Sequence, residues 1–193
     1  MPQAGVSQPP LARHSLNLVP EGTEPSLAAD TFKAAFREHP AGVAVVTADP
    51  GEHPVAMTVS SLASVSTEPP LLVFSASVLS SSTPVLEDAE TVVVHFLTDE
   101  QLWLAKLGAD KGADRFADAS AWQRLPTGEP LFPSAFAWIR GRVAHRLEAG
   151  NSILYVVHAL EASVPGDAAH AGDPHPLVYH DRTWHRLGPW SAI

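Results

Sequence analysis

Strand-forming runs follow one another along this chain with little helical spacing between them. GVAVVTA (42–48) is rich in β-branched side chains and ends at the turn triplet Asp49-Pro50-Gly51. PVAMTV (54–59) alternates, placing Val55, Met57 and Val59 on one face. LLVFSASV (71–78) and TVVVHFL (91–97) follow, and then two longer runs, AFAWIRGRVAHRL (135–147) and SILYVVHALEASV (152–164), separated by Glu148-Ala149-Gly150-Asn151. LVYHDRTWHRL (177–187) predicts a hairpin turning at Asp181-Arg182. Six or more strands in this order do not make the βαβ rhythm of a doubly wound sheet. A closed or nearly closed antiparallel barrel suits them better.

Helical signals are few. SLAADTFKAAFREH, beginning at Ser26, carries Leu27, Phe32, Ala35 and Phe36 at amphipathic spacing, with Ser26 or Asp30 as its cap and Pro40 beyond its end. Thr98-Asp99-Glu100-Gln101 has the capping-box form and opens a helix through LWLAKLGA. Residues 110–133 are loop-rich, with a helical turn expected at ADRFAD. The proline-punctuated stretch 1–25 reads as an irregular arm, and 26–193 as the folded domain. SILYVVHALEASV is apolar on both faces at first, with Ile153, Tyr155 and Val157 opposed to Leu154, Val156 and Leu160. A barrel strand normally wets one face, so a homodimer is expected.

Composition narrows the function. With 12 Lys+Arg against 21 Asp+Glu, the net charge of −9 argues against nucleic acid and anionic lipid as partners. The absence of cysteine removes disulfides, thiolate nucleophiles and cysteine-based metal centres. No apolar run approaches about 18 residues, and the first twenty residues lack the basic start and apolar core of a signal peptide. A cytoplasmic protein that binds no membrane is the expectation.

The stretch MTVSSLASVSTEPP (57–70) carries the chemistry. Val55, Met57 and Val59 share one parity, Leu62 takes the other, and Val65 returns to the first. Such slips mark a bulge or a strand end, where N–H groups leave the ladder. Thr58, Ser60, Ser61, Ser64 and Ser66 dress this segment, and Ser80-Ser81-Ser82-Thr83-Pro84 forms a second hydroxyl cluster that looks like a helix start. Small hydroxyls with free amides suit a phosphate or a polyol chain, although serine-rich segments are also ordinary loop material. Between residues 30 and 120 the only cations are Lys33, Arg37, Lys106, Lys111 and Arg115. Arg115 is either a bidentate phosphate ligand or a solvated helix-end cation.

Other constellations weigh less. Histidines recur every five residues at His170, His175, His180 and His185, but a step of five alternates strand faces for the last pair and the first pair lies in a loop, so no metal site is expected. No Gly-x-Ser-x-Gly elbow supports a serine hydrolase. Trp103, Trp122, Trp138, Trp184 and Trp190 read as core or interface anchors, with Trp184 or Trp190 alternatively stacking on a ligand ring. Phe136 and Trp138 share a face with Arg140 and Arg142, which suggests a subunit seam.

HPAGVAVVTADP (39–50), PVAMTVSSLASVSTEPPLLVFSASVLSSSTPVL (54–86), VVVHFLTDEQLWLA (92–105), GADRFAD (112–118), GEPLFPSAFAWIRGRV (128–143) and PLVYHDRTWHRL (176–187) occur in that order. Together they resemble the flavin reductase-like family with the FMN-binding split barrel. The resemblance spans about residues 31–187, and the Thr-x-Ser-Ser-x-x-Ser-Val-Ser block with the downstream Ser-Ser-Thr is its most specific part. It implies a mainly β fold, an antiparallel split β-barrel with a few short flanking helices. It also implies a dimer holding FMN, or FAD in some members, near the subunit interface. The implied activity is reduction of flavin by NADH or NADPH, with a flavin-dependent monooxygenase as partner for the reduced product.

By matching position, the resemblance puts Thr58, Val59, Ser60 and Ser61 along the flavin ring and ribityl chain. Ser81, Ser82 and Thr83 fall at the ribityl-phosphate end, Arg115 near the phosphate, and His95 close to the flavin. Many relatives carry Gly-Asp-His at the turn between the two long strands; here it reads Gly150-Asn151-Ser152, with Val157 where a glycine is expected. Ser152 has no imidazole to help place a nicotinamide. Hydride transfer needs only close stacking of two rings, so Ser152 and His95 stand as candidates for catalytic contact without an obligatory acid. An FMN-dependent oxidase or monooxygenase acting on its own substrate, or a non-catalytic flavin-binding protein, are the alternatives on the same scaffold.

Overall fold

A computed structural model describes residues 24–51, 53–166 and 174–193. Seven strands make one antiparallel sheet: β2 (Ala44–Ala48), β3 (Val55–Val59), β4 (Ala63–Thr67), β5 (Pro70–Ser77), β6 (Thr91–Phe96), β9 (Ala137–Ala149) and β10 (Ser152–Ser163). Their spatial order is β3-β2-β6-β9-β10-β5-β4. Only residues 60–62 connect β3 to β4, yet these strands are the two ends of the row. The four Cα steps from Val59 to Ala63 span about 14 Å at most, so the sheet must curl until its ends approach. The result is a barrel left open between the ends of the row, where the part of β5 beyond its pairing with β4 faces β3. It is the mainly β split barrel that the sequence led us to expect.

Side-chain alternation fills this barrel. Val46, Met57, Val59, Leu72, Phe74, Val92, Val94, Val143, Ile153, Tyr155 and Val157 form the interior, with the Phe74 and Tyr155 rings stacked at 4.9 Å. β2 is buried on both faces. A second apolar layer covers its outside, built from Val43, Val45, Ala56, Leu97, Leu104, Ala105, Phe132 and Leu177. Helix α3 (Leu102–Ala109) supplies part of this layer, introduced by a 3-10 turn at Asp99–Gln101. Thr98 and Gln101 make the capping contact read from the sequence: Thr98 N–H and Oγ1 both donate to Gln101 Oε1, at 3.0 and 2.8 Å.

Smaller elements finish the surface. Strands β1 (Ala41–Gly42), β11 (Leu177–His180) and β12 (Thr183–Arg186) form a three-stranded sheet. The β11–β12 turn sits at Asp181-Arg182, with φ of 43° and 60°. The β9–β10 turn uses Gly150 at φ 62°, a conformation that penalises any Cβ. β7 (Gln123–Arg124) and β8 (Pro130–Leu131) make a short hairpin, and α2 (Thr83–Asp88) follows β5.

Several local readings change. β4 is a strand that the serine-rich text hid, and its pairing with β5 slips between Ser64 and Ser66. Helix α1 (Ala29–Arg37) starts from Ala28, which makes no side-chain cap. Ser26 lies before it, and Asp30 falls in its first turn, where its negative charge favours the positive end of the helix dipole. The segment 113–118 forms a turn and no helix. The Trp138–Arg140 face is covered by this chain itself: Trp138 packs on Val93, Leu125 and Leu131, and Arg140 pairs with Glu129 at 2.7 Å. Most of the proposed arm (residues 1–23) and His170 lie outside the described residues. Among the described residues, no helix is long and apolar enough to cross a membrane.

Candidate flavin site

The split between β3 and β5 opens into a surface cleft of about 630 Å³. Met57, Thr58 and Val59 form one wall, and Ser60 and Ser61 continue it after β3 ends. Ser75, Ala76 and Ser77 of β5 form the other, extended by Leu79, Ser80 and Ser81. The end of α3 (Gly108, Ala109) and the loop cations Lys111 and Arg115 close one side, and Ser152 of β10 lines it as well. The two hydroxyl stretches, far apart in sequence, therefore meet at one cleft. Strand ends that leave the ladder bring them there, as the parity slip after Val59 implied.

The hydroxyls do not play one part. Thr58 Oγ1 donates to Ala105 O at 2.7 Å and ties β3 to α3. Ser61 Oγ accepts the Ser75 N–H at 2.9 Å and donates to Ser75 O at 3.2 Å, bridging the split where no ladder continues. Thr83 Oγ1 donates to Ser77 O at 2.7 Å and Ser80 Oγ faces Met57 Sδ at 3.5 Å. Each hydroxyl has one proton to give, so Thr58, Ser61 and Thr83 brace the cleft and keep only lone pairs for a ligand. Ser60 and Ser81 are exposed on the lining and retain their donors.

Not every expected residue lines the cleft. Ser82 and Thr83 are buried beside it at the start of α2, and Ser82 Oγ has no hydrogen-bond partner among the described residues. Thr83 instead borders a smaller recess of about 180 Å³, which shares Ser152 with the main cleft. His95 is fully buried on β6, away from the cleft. Its Nδ1 lies 3.0 Å from Val45 O, and its Nε2 accepts the Phe132 N–H at 3.1 Å. Burial depresses its pKa from 6.5 to about 4, against backbone hydrogen bonds that work the other way. Neutral, with both ring nitrogens engaged, His95 joins β2 and β6 to the segment at Phe132. Trp184 and Trp190 also lie off the lining: Trp184 packs on Tyr179, and Trp190 on His175.

Lys111, Gly108 and the β5 pair Ser75 and Ser77 belong to the lining and were not singled out as site residues from the sequence. Lys111 was visible as one of five cations, whereas the β5 serines carried no signal beyond strand alternation. Electrostatically the cleft departs from the rest of the molecule. The chain carries −9, yet among the described residues two cations and no carboxylate line this cleft. Arg115 Nη2 donates to Asp110 O at 2.6 Å, while its buried Nε has no partner among the described residues. A guanidinium held on one edge while it lines the cleft suits an anionic ligand.

Residues 36–188 match the family described as flavin reductase like domain. The chain belongs to this family. An NADH:FMN oxidoreductase of Rhodococcus qingshengii is 39% identical over 165 residues, covering 84% of each chain. The crystal structure of a flavin reductase domain protein from Arthrobacter sp. superposes with a TM-score of 0.76 at 31% identity, covering 83% of this chain and 96% of that one. BorF, the flavin reductase component of a bacterial two-component tryptophan halogenase, superposes at 0.73 with 27% identity, over 83% of this chain and 99% of its own. These relatives agree with the FMN and reduced-nicotinamide expectation read from the sequence blocks.

Proposed function

We propose that this chain reduces FMN with a reduced nicotinamide dinucleotide and holds the flavin in the β3–β5 cleft. The observation that carries this reading is a cleft whose described lining holds two cations and no carboxylate, in an acidic family member. The phosphate end falls to Lys111 and Arg115, and Ser60 and Ser81 supply neutral donors toward the ribityl chain. Thr58, Val59 and Ser61 form the wall along which the ring system lies, with Thr58 and Ser61 held by their own hydrogen bonds. Ser82 and Thr83 support the cleft from behind, and His95 serves the scaffold. Bound FMN supplies the two-electron centre: NADH plus FMN and a proton gives NAD⁺ and reduced FMN. The chain's part is to fix the flavin's anionic end and leave one side of the cleft open for the second ring. Ser152, where the clefts join, borders that approach.

The same reading takes 26–193 as one domain and extends to assembly. Leu154 and Val156 on the outer face of β10 are only half-buried, and Leu160 is 46% exposed. Phe32 and Phe36 project from α1 and Leu27 is exposed just before it; among the described residues, nothing buries a residue of this helix. A second copy covering these faces forms a homodimer. The open cleft lets reduced flavin leave, as a reductase serving a monooxygenase requires, and kinship with BorF, whose partner is a tryptophan halogenase, supports a separate flavin-using enzyme as partner. Anaerobic mixing of FMN-loaded protein with NADH and with NADPH tests the activity. Loss of the oxidised flavin absorbance with at least one is expected; persistence of the colour with both overturns the reductase assignment.

A further inference from the structure

We propose that Gly108 is a positioning residue for the anionic end of the cleft, acting through how closely α3 lies on β3. The proposal rests on the reading of the cleft as the FMN site. Gly108 is buried in the last turn of α3. A Cβ at that position would stand 2.5 Å from Thr58 Oγ1, 3.0 Å from Thr58 N and 3.4 Å from Met57 C. None of these is the loose end of a flexible side chain. Thr58 Oγ1 is held by its bond to Ala105 O, and the other two atoms are β3 backbone. Any side chain at 108 must therefore lift the helix end from the strand.

Such a shift passes into the cleft. Asp110 follows α3, its N–H bonded to Lys106 O and Leu107 O. The Asp110 carbonyl accepts Arg115 Nη2 at 2.6 Å, and Asp110 Oδ1 accepts the Gly112 N–H at 2.9 Å. Lys111 and Arg115 thus hang from the last turn of the helix, and their reach across the cleft depends on its docking depth. Alanine is a better helix former than glycine, so propensity alone makes Gly108→Ala favourable. A loss of ligand affinity in that variant points to the contact with Thr58.

Riboflavin has the ring and ribityl chain of FMN without its phosphate, so the ratio of the two affinities isolates the cationic end. Wild type, Gly108→Ala, Thr58→Val and Thr58→Ser are titrated with each ligand by flavin fluorescence. Gly108→Ala is expected to weaken FMN roughly tenfold, the scale of one charge-assisted hydrogen bond, and riboflavin less than about twofold. Thr58→Val, which removes the tie to Ala105 O, moves the ratio in the same direction, whereas Thr58→Ser keeps the tie and the wild-type ratio. Equal losses for both ligands, or unchanged FMN affinity in Gly108→Ala, overturn the proposal. If Gly108→Ala does not fold, equal ratios in Thr58→Val and Thr58→Ser overturn it. A wild type that binds neither flavin overturns the functional reading, and this proposal with it.

Discussion

Acidification should weaken this fold through His95, and the size of the effect follows from the ring's surroundings. The imidazole is fully buried, with Nδ1 at Val45 O and Nε2 accepting from Phe132 N–H. A proton added to Nε2 would replace that accepted bond with two donors facing each other. The folded pKa of about 4 lies below the ordinary 6.5, so the unfolded chain takes up the proton first. Stability is complete above about pH 6.5 and is lost as the pH falls toward 4. The difference of roughly 2.5 units corresponds to about 3 kcal/mol, of which about 2 kcal/mol is gone by pH 5. Urea unfolding at pH 7.5 and pH 5 measures it. His95→Gln, whose amide reproduces one donor and one acceptor without titrating, should show a pH dependence smaller by about 2 kcal/mol. It should also leave FMN binding at the wild-type level, because the ring does not line the cleft. An identical pH dependence in wild type and His95→Gln would refute the reasoning. His95→Leu, which orphans both backbone groups, should cost about 2–6 kcal/mol at pH 7.5.

Three further outcomes follow from the same contacts. Arg115→Ala should raise the KM for FMN about 10- to 100-fold, the loss of one or two charge-assisted contacts, while kcat at saturating FMN stays near wild type in steady-state NADH oxidation. Glu129→Ala leaves Arg140 without its buried partner and should lower stability by about 3–5 kcal/mol in urea unfolding. Burial alone would raise the Glu129 carboxyl, but hydrogen bonds from Thr127, Thr91 and Arg140 outweigh it and hold the pKa below its ordinary value, so this pair weakens as the pH falls. Ser152→His places an imidazole where the two clefts meet and should quicken anaerobic flavin bleaching by NADH; an unchanged stopped-flow rate would deny Ser152 a place beside the reacting rings.

Strands whose alternation is set by the barrel interior were readable residue by residue. Met57 and Val59 in β3, or Ile153, Tyr155 and Val157 in β10, face the core as their spacing requires. The Asp181-Arg182 turn and the Thr98–Gln101 contact were equally plain, because each is fixed by neighbours in sequence. β4 was hidden because Ala63–Thr67 is a largely exposed edge strand with no apolar face to impose a period. Hydroxyl residues announced the cleft but not their division of labour. Whether Ser61 addresses a ligand or the Ser75 backbone depends on how far the barrel closes, and only tertiary structure sets that. His95 was named by matching position alone, and neither its burial nor the Phe132 N–H that it satisfies can be read from TVVVHF.

The sharpest single test is a crystal structure of the protein with FMN bound. The flavin phosphate should lie within hydrogen-bond distance, about 2.7–2.9 Å, of the Arg115 guanidinium or Lys111 Nζ, with the ring system between β3 and β5. Flavin density elsewhere on the molecule, with that cleft holding only solvent, would contradict the account.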